Sequence, residues 1–331
     1  MILVRTPFRL PLGGGGTDLP AYYSKYGGKL VTAAINKYMF ISLNEPALSD
    51  EIKLRYSKVE VLKAGQFADI KHDIVRAALT YFNYQRPIEI NSTADLGAGT
   101  GMGSSGSYTV ALLHGLNTIQ RHSISVQELA ELACDIEMNW AGKPVGKQDQ
   151  YAAAFGGFIS MDIARDGKVK VDPLELEYET VAELENRLMM FYTNIQRDAS
   201  EILQDQSNRV KASETAATEA MHRIKAIGEQ IADALGSGDV TAFGELMHEH
   251  WTVKKSVSGL MSTSLVDECY TAAREAGALG GKIMGAGGGG FMLVCVPHEK
   301  RRAVRTVLEQ KGLTLMPFRF DFEGSRVLAN V

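Results

Sequence analysis

Four residues stand out for the chemistry their types and settings could support. Asp149 lies in Gly146-Lys147-Gln148-Asp149-Gln150-Tyr151, among polar neighbours and just ahead of an apolar, glycine-bearing run. A carboxylate so placed could orient a hydroxyl and accept its proton, although spacing alone favours a helix N-cap. Glu137 has Ala133 and Trp140 as its i−4 and i+3 neighbours. That setting borders the buried face of a helix, where a carboxylate could face a metal ion or stand as an ordinary solvated glutamate. Arg9, in Pro7-Phe8-Arg9-Leu10, adjoins a glycine run and could offset charge in a transition state or form a surface salt bridge. Asp18, after Thr17, could bind sugar hydroxyls or close a turn. His248 and His250 look like a metal pair, but residues two apart on a helix point to different sides, which favours packing or surface roles. Lys254 and Lys255 read as a solvated face.

Three glycine clusters surround these residues: Gly13-Gly14-Gly15-Gly16-Thr17-Asp18, Gly97-Ala98-Gly99-Thr100-Gly101-Met102-Gly103-Ser104-Ser105, and Gly285-Ala286-Gly287-Gly288-Gly289-Gly290. Glycine weakens regular structure, so a run of it implies a tight turn or close backbone approach to a ligand. The second cluster follows a strand ending near Asn91 and precedes helix formers from Tyr108 onward, with Ser104 or Ser105 available as a cap. A glycine loop opening a helix is an anion site, and diphosphate is its natural occupant. The Walker pattern is absent. Gly101, Gly103 and Gly106 match GxGxxG, but a dinucleotide fold needs a second strand and an acidic residue roughly 20 residues on, where this chain has the helical Val126 to Trp140.

The elements that must hold these loops read as α+β. Tyr38 to Asn44 is β-rich; Ile52, Leu54 and Tyr56 alternate with charged residues; Ile88 and Ile90 repeat the pattern. Helical spacing follows at Leu112, Leu116 and Ile119, and at Leu129, Leu132, Ala133, Ile136 and Trp140. Asp198 to Leu235 predicts one long helix or two, Thr241 to Ser256 and Leu265 to Glu275 two more, and Val304 to Leu308 a short one. Strands return at Met292 to Val296 and at Leu315 to Phe322, where Phe318, Phe320 and Phe322 alternate. Helices on a small sheet in the second half complete the α+β pattern.

At 331 residues the chain exceeds a single ordinary core, so two domains are expected. A net charge of −4 lacks the basic footprint of a nucleic-acid or anionic-membrane binder. Cys134, Cys269 and Cys295 are too few and too scattered for a disulfide framework or zinc set, and predict buried, reduced thiols. The opening Met-Ile-Leu-Val-Arg-Thr-Pro lacks a signal-peptide pattern, and no apolar run reaches the roughly 20 residues of a spanning helix. A cytoplasmic protein is expected.

In order, the motifs resemble those of the GHMP kinase superfamily, named for galactokinase, homoserine kinase, mevalonate kinase and phosphomevalonate kinase. The matching stretches run from Arg5 to Asp18, from Leu96 to Ser105 and from Lys282 to Phe291, so the resemblance spans essentially the whole chain. It implies a two-domain fold: an ATP-binding domain over 1–183, like the second domain of ribosomal protein S5, and a ferredoxin-like domain over 184–331. It implies that Gly97, Gly99, Gly101, Met102, Gly103, Ser104 and Ser105 bind ATP phosphates, with the Ser104 hydroxyl and Glu137 near Mg2+. Asp149 takes the place of the catalytic aspartate and Arg9 of the arginine paired with it. Gly15, Gly16, Thr17 and Asp18 fall in the sugar-binding stretch. Gly287 and Gly288 lie in a loop expected to close over the phosphates.

Within the superfamily, Gly-Gly-Gly-Gly-Thr-Asp-Leu-Pro and Gly-Lys-Gln-Asp-Gln-Tyr resemble the D-glycero-D-manno-heptose 7-phosphate kinases, with fucokinase-type domains next. Galactokinases carry Glu-His where this chain has Gly15-Gly16, which counts against galactose. The implied reaction moves the γ-phosphoryl group of ATP to the anomeric hydroxyl of the heptose 7-phosphate. Its product is the 1,7-bisphosphate, an intermediate of bacterial surface-polysaccharide heptose. Alternatives are a fucose or other hexose 1-kinase, and a silent sensor that binds ATP and sugar. The second phosphate on the sugar needs cations, for which Arg197, Lys143 and Lys147 are candidates. The expected partners are thus a sugar phosphate and ATP, without nucleic acid or membrane, and a homo-oligomer is left open.

Overall fold

The computed structural model describes residues 1–196, 199–212 and 215–331. The first half contributes strands β1 (Ile2–Gly13), β2 (Gly28–Asn44), β3 (Glu51–Arg55), β4 (Val59–Lys63), β5 (Ile88–Ala94), β6 (Phe158–Ile163) and β7 (Val169–Pro173). Its helices are α1 (Pro20–Tyr26), α2 (Asp73–Tyr81), α3 (Ser104–Ile119), α4 (Val126–Asp135), α5 (Gln148–Phe155) and α6 (Tyr178–Arg187). The second half contributes β8 (Leu188–Tyr192), β9 (Gly280–Ile283), β10 (Phe291–Cys295) and β11 (Thr314–Met316), with helices α7 (Ala199–Lys211), α8 (Thr215–Gly236), α9 (Val240–Val257), α10 (Ser264–Glu275) and α11 (Arg301–Gln310). A last strand, β12 (Arg326–Asn330), returns to pair with β1, so the end of the chain lies in the first sheet.

The long strand β2 organises that sheet. It pairs with β1 along its length, with β6 through Gly28 to Ala33, and with β5 through Met39 to Asn44. Register shifts in β1 fall beside Pro7 and Pro11, which lack the N–H a regular ladder needs. Between the shifts, Phe8, Leu10 and Leu12 are fully buried in the core, while Arg9 and Pro11 line a cleft. The period of two in a strand separates the two sets. α3 packs on β1 and β2 and against both α4 and α5, which also touch each other. It is buried nearly all round, as a central helix must be.

The second sheet runs β11-β8-β10-β9, all antiparallel. In order of appearance that is fourth, first, third, second, the order of a ferredoxin-like βαββαβ unit. Met189, Phe191, Trp251, Met292, Val294, Val304 and Leu308 form its core.

Two sequence expectations change. The predicted strand from Leu315 to Phe322 stops at Met316. The phenylalanines beyond it cross back to the first sheet, where Phe320 bridges Ile35 and packs at a tilt against Phe158. The predicted helix through Trp140 ends as a π-helical turn over Ile136–Trp140. That wider turn rotates the chain, so Glu137 is fully buried while Trp140 is 48% exposed, reversing the simple reading that placed Trp140 on the buried face.

The approach of α5 to α3 depends on Gly106. A Cβ there would lie 2.6 Å from Asp149 Cβ and 3.0 Å from its carbonyl carbon. Gly106→Ala would gain about 1 kcal/mol of helix propensity but overpack the contact by about 1–3 kcal/mol. The thermal midpoint should fall by a few degrees; an unchanged or raised midpoint would show that the two helices are not in tight contact.

Candidate active site

The loop after β5 alternates left-handed glycines: Gly99, Gly101 and Gly103 have φ of 75°, 77° and 77°. Alternation of this kind turns successive N–H groups into one concavity, a nest for anions. Gly97, Ala98 and Gly99 are exposed, while the Met102 side chain anchors the loop in the core. α3 begins at Ser104, and no side chain caps its N-terminus. Its first amides and the positive end of its dipole are thus free to face a phosphate group. Ser104 and Ser105 line the same cleft, about 610 Å³ in volume.

Asp149 sits in the first turn of α5 rather than at its N-cap, which is Lys147. The cap acceptor comes from far away in sequence: Asp18 Oδ2 accepts the Gln148 N–H at 3.0 Å, and Asp18 Oδ1 accepts the Gly16 N–H at 3.0 Å. Gly146 permits this approach, since a Cβ there would sit 2.0 Å from Asp18 Oδ2. Burial, more than the neighbouring Asp149 charge, holds the Asp18 carboxyl above its usual range. Arg9 Nε donates to Asp149 Oδ1 at 2.7 Å, and its NH1 group donates to the Gly101 carbonyl at 2.6 Å. One guanidinium therefore joins the candidate base to the phosphate loop.

Glu137 lies beneath the cleft wall. Gln150 Nε2 donates to its Oε1 at 2.9 Å, while Oε2 has no partner. Burial pushes its pKa up to about 7, opposed by the nearby Ser105, Gln150 and Thr109 and aided by Asp149. An orphaned carboxylate oxygen beside a serine at the phosphate loop fits a magnesium ion bound mainly through nucleotide phosphates. Among the described residues there is no cluster of three or more His, Cys, Asp or Glu that could hold a metal by itself.

The second half of the chain supplies the opposite wall. Gly285 and Ala286 line the cleft, and the third glycine loop meets the second directly: a Cβ on Gly285 would lie 2.8 Å from the Gly101 carbonyl oxygen. Lys254 and Lys282 line the cleft as well, both buried. Lys254 Nζ donates to the Gly285 carbonyl at 2.7 Å and Lys282 Nζ to the Leu12 carbonyl at 3.0 Å. Burial, then the Arg9 charge, pushes Lys254 down to about 8. Burial and then Lys254 hold Lys282 well below the usual range.

Several expectations need correction. Lys254 is not on a solvated face. Its helix buries Phe243, Met247, His250, Trp251 and Lys254 at helical spacing, and of the two lysines Lys255 is the one left partly exposed, paired with Asp267. His250 is buried with both ring nitrogens unpartnered, and His248 hydrogen-bonds Tyr270, so the two histidines do not share a metal. The Thr17 hydroxyl is engaged with the Gly14 and Lys29 carbonyls, and Thr17 does not line the cleft. Gly287 and Gly288 turn to the Met261 carbonyl, which takes the Gly288 N–H, so the cleft face of that loop is Gly285 and Ala286. Gly15, Gly16 and Asp18 do line the cleft. Lys143 lines it but pairs with Asp73 at 2.9 Å, and Lys147 donates to the Gly167 carbonyl. Arg197 lies outside the described residues. Lys282, Gln148 and Gln206 on the cleft wall were missed. Only Lys282 carried a signal, as a lysine entering a glycine loop from an apolar strand.

Models of the GHMP kinases match the chain twice: the N terminal domain over residues 72–157 and the C terminal over residues 231–312. A D-glycero-alpha-D-manno-heptose 7-phosphate kinase of Campylobacter jejuni is 31% identical over 98% of this chain and 97% of its own length. A bifunctional fucokinase/GDP-fucose pyrophosphorylase of Arabidopsis thaliana is 25% identical over 93% of this chain, which spans 31% of that larger protein. Among solved structures, a D-glycero-D-manno-heptose 1-phosphate kinase of Bacteroides thetaiotaomicron aligns over the whole of both chains with a TM-score of 0.83 and 27% identity.

The burial of Glu137 has a measurable consequence. Its carboxyl titrates near 7 folded against 4.5 unfolded, so between those values the native state binds more protons. Stability must fall as pH rises through that window and stay low above it, by on the order of 3 kcal/mol. Without nucleotide or divalent ion, Glu137→Gln should melt several degrees above the wild type at pH 8, with the gap closing by pH 4.5. A gap independent of pH would show that the carboxylate carries no burial penalty.

Proposed function

The chain belongs to the GHMP kinase family and has the features of a sugar kinase, and from that premise we propose that it phosphorylates the anomeric hydroxyl of D-glycero-D-manno-heptose 7-phosphate at the expense of ATP. The observation that carries the reading is the placement of Asp149. Its carboxylate is packed against Gly103 and Gly106 at the start of α3 and held by Arg9. A nucleotide diphosphate on that helix start would present its terminal phosphorus beside the aspartate.

The sugar hydroxyl is oriented by Asp149, which accepts its proton as the oxygen attacks the γ-phosphorus. The new oxygen–phosphorus bond forms as the bond to the β-phosphate oxygen breaks, and ADP departs. Arg9, anchored on Gly101, offsets charge on the transferring group. An anomeric hydroxyl is more acidic than an ordinary alcohol, so a carboxylate base suffices. Ser104 and Glu137, the latter with Ser105 beside it, are the residues that would hold magnesium, which when bound neutralises phosphate charge. Asp18, the Gly15 and Gly16 backbone and Gln148 fall where the sugar would lie.

The two heptose kinases support a heptose phosphate as acceptor, although their names place the existing phosphate differently. The absence of a side chain at Gly15, where a Cβ would meet only Gln148 Oε1 at 3.6 Å, leaves room for a bulkier sugar phosphate than a hexose, whereas the space at Gly16 is filled by Gln206. No helix among the described residues is long and apolar enough to cross a membrane, and three buried free cysteines suit a reducing compartment. The buried thiols are what support a cytoplasmic setting for the reaction. A fucose or other hexose 1-kinase is the nearest rival.

Two measurements decide. Release of ADP should be fastest with the heptose 7-phosphate in a panel that includes L-fucose, D-galactose and unphosphorylated heptose; a preference for a free hexose would replace the substrate named above. Asp149→Asn should lower kcat by about 10²–10⁴-fold with ATP affinity held within a few-fold. Near-normal turnover in that variant would remove Asp149 as the base.

A further inference from the structure

The cleft contains a charge imbalance that the phosphoryl-transfer chemistry does not use. Lys254 and Lys282 are both more than nine-tenths buried and both line the cleft. Each gives one hydrogen bond, to a neutral carbonyl. Neither has a carboxylate within ion-pair distance among the described residues. An ammonium group has three donors, and taking one out of water without a counter-ion costs several kcal/mol. Beside them Arg9 is buried, with its own carboxylate shared by the reaction. His250, one helical turn before Lys254, presents two unpartnered ring nitrogens, so it adds no negative charge.

A structural tie alone does not explain the pair. Lys254 reaches the third glycine loop and Lys282 the end of β1, but an amide or hydroxyl donor would tie a carbonyl at lower cost than a buried ammonium. Two cations facing one cleft from α9 and β9 are suited to a dianion. They stand on the wall contributed by the second half of the chain, where Gly285, whose carbonyl Lys254 holds, abuts Gly101 of the phosphate loop. The Gln148 amide nitrogen, buried, unpartnered and on the cleft wall, adds a donor. The cations expected from sequence are less apt, since Lys143 is paired with Asp73 and Lys147 is turned to Gly167.

We propose that Lys254 and Lys282 form the subsite for the phosphate that the sugar already carries, with that dianion as the missing counter-charge. The inference rests on the reading of the acceptor as a sugar phosphate. It makes the two lysines the selectors of a phosphorylated over a free sugar, whichever carbon bears the phosphate.

The test is initial-rate kinetics with heptose 7-phosphate and unphosphorylated heptose, on the wild type, Lys254→Met and Lys282→Met. Each substitution keeps the length of the stem and removes the charge. Each should raise KM for the sugar phosphate about 10- to 100-fold, as loss of a charge-assisted hydrogen bond does. The preference for phosphorylated over free sugar should shrink by a similar factor. Inorganic phosphate should compete with heptose 7-phosphate on the wild type, a readout that needs no variant. If kcat falls equally for both acceptors, the lysines serve the transferred phosphoryl group and the inference fails while the substrate reading stands. Unchanged KM values, or absence of competition by phosphate, would also overturn it. If the wild type accepts only the free sugar, the substrate reading fails, and this inference with it.

Discussion

The ion pair between Arg9 and Asp149 is the interaction on which the site turns. It spans 2.7 Å between residues 140 positions apart, and the same guanidinium holds the Gly101 carbonyl. An arginine suits this place because its planar fork can satisfy two acceptors at once, where a lysine would offer a single point of charge. Arg9 can reach both because the proline-induced shifts in β1 bracket it and the alternation of the strand turns it to the cleft. The base and the phosphate loop are therefore fixed relative to each other by a side chain belonging to neither.

A second constraint is steric. Glycine clusters near phosphates are usually explained by the ligand, and Gly99 fits that account. Gly106 and Gly146 have a different reason, which Gly103 shares in addition to its left-handed backbone. Each has a carboxylate residue at a distance no Cβ would tolerate, Asp149 for Gly103 and Gly106 and Asp18 for Gly146. Asp18 in turn supplies the acceptor at the start of α5. Asp149 and Asp18 are thus packed tightly against backbone, and Asp149 acts electrostatically on both Asp18 and the buried Glu137. Burial, aided by that repulsion, raises Asp18 and Glu137 above their ordinary ranges.

The sequence made much of this legible, and the reasons for the gaps are physical. The phosphate loop showed itself because left-handed alternation demands glycine, and Asp149, Arg9 and Asp18 stood beside such runs. Resemblance to a family supplied the pairing of Arg9 with Asp149, since contact across 140 positions leaves no local trace. Glu137 was singled out, but its degree of burial depended on a π turn that a regular helical wheel does not contain. Thr17 and Gly288 looked available because composition does not reveal which polar groups are already bonded. Lys254 was misread through its charge, although Phe243, Met247, His250 and Trp251 place position 254 on the inward face of the helix. When periodicity and residue type disagree, the disagreement marks a buried charge and hence a candidate site.

The orphaned polar groups near the cleft bear on this last point. Among the described residues, Glu137 Oε2, Gln148 Nε2, Gln150 Oε1 and both nitrogens of His250 find no partner, and two lysines find no counter-ion. Buried groups of this kind oppose folding, so the ligand-free protein carries a cost concentrated where its substrates belong. Such a cost is compatible with a stable fold only if the surrounding cores offset it, and Trp251 and Phe243, fully buried on the same helix as Lys254, supply that packing. The two lysines without a carboxylate counter-ion lie on the wall from the second half of the chain, and the phosphate loop and candidate base on the wall from the first. A substrate bearing a phosphate at one end and a reactive hydroxyl at the other would satisfy both walls together. Its binding energy would then hold the two halves in the one relative position where the hydroxyl meets the nucleotide, so discrimination for a phosphorylated sugar and alignment for transfer would come from the same contacts.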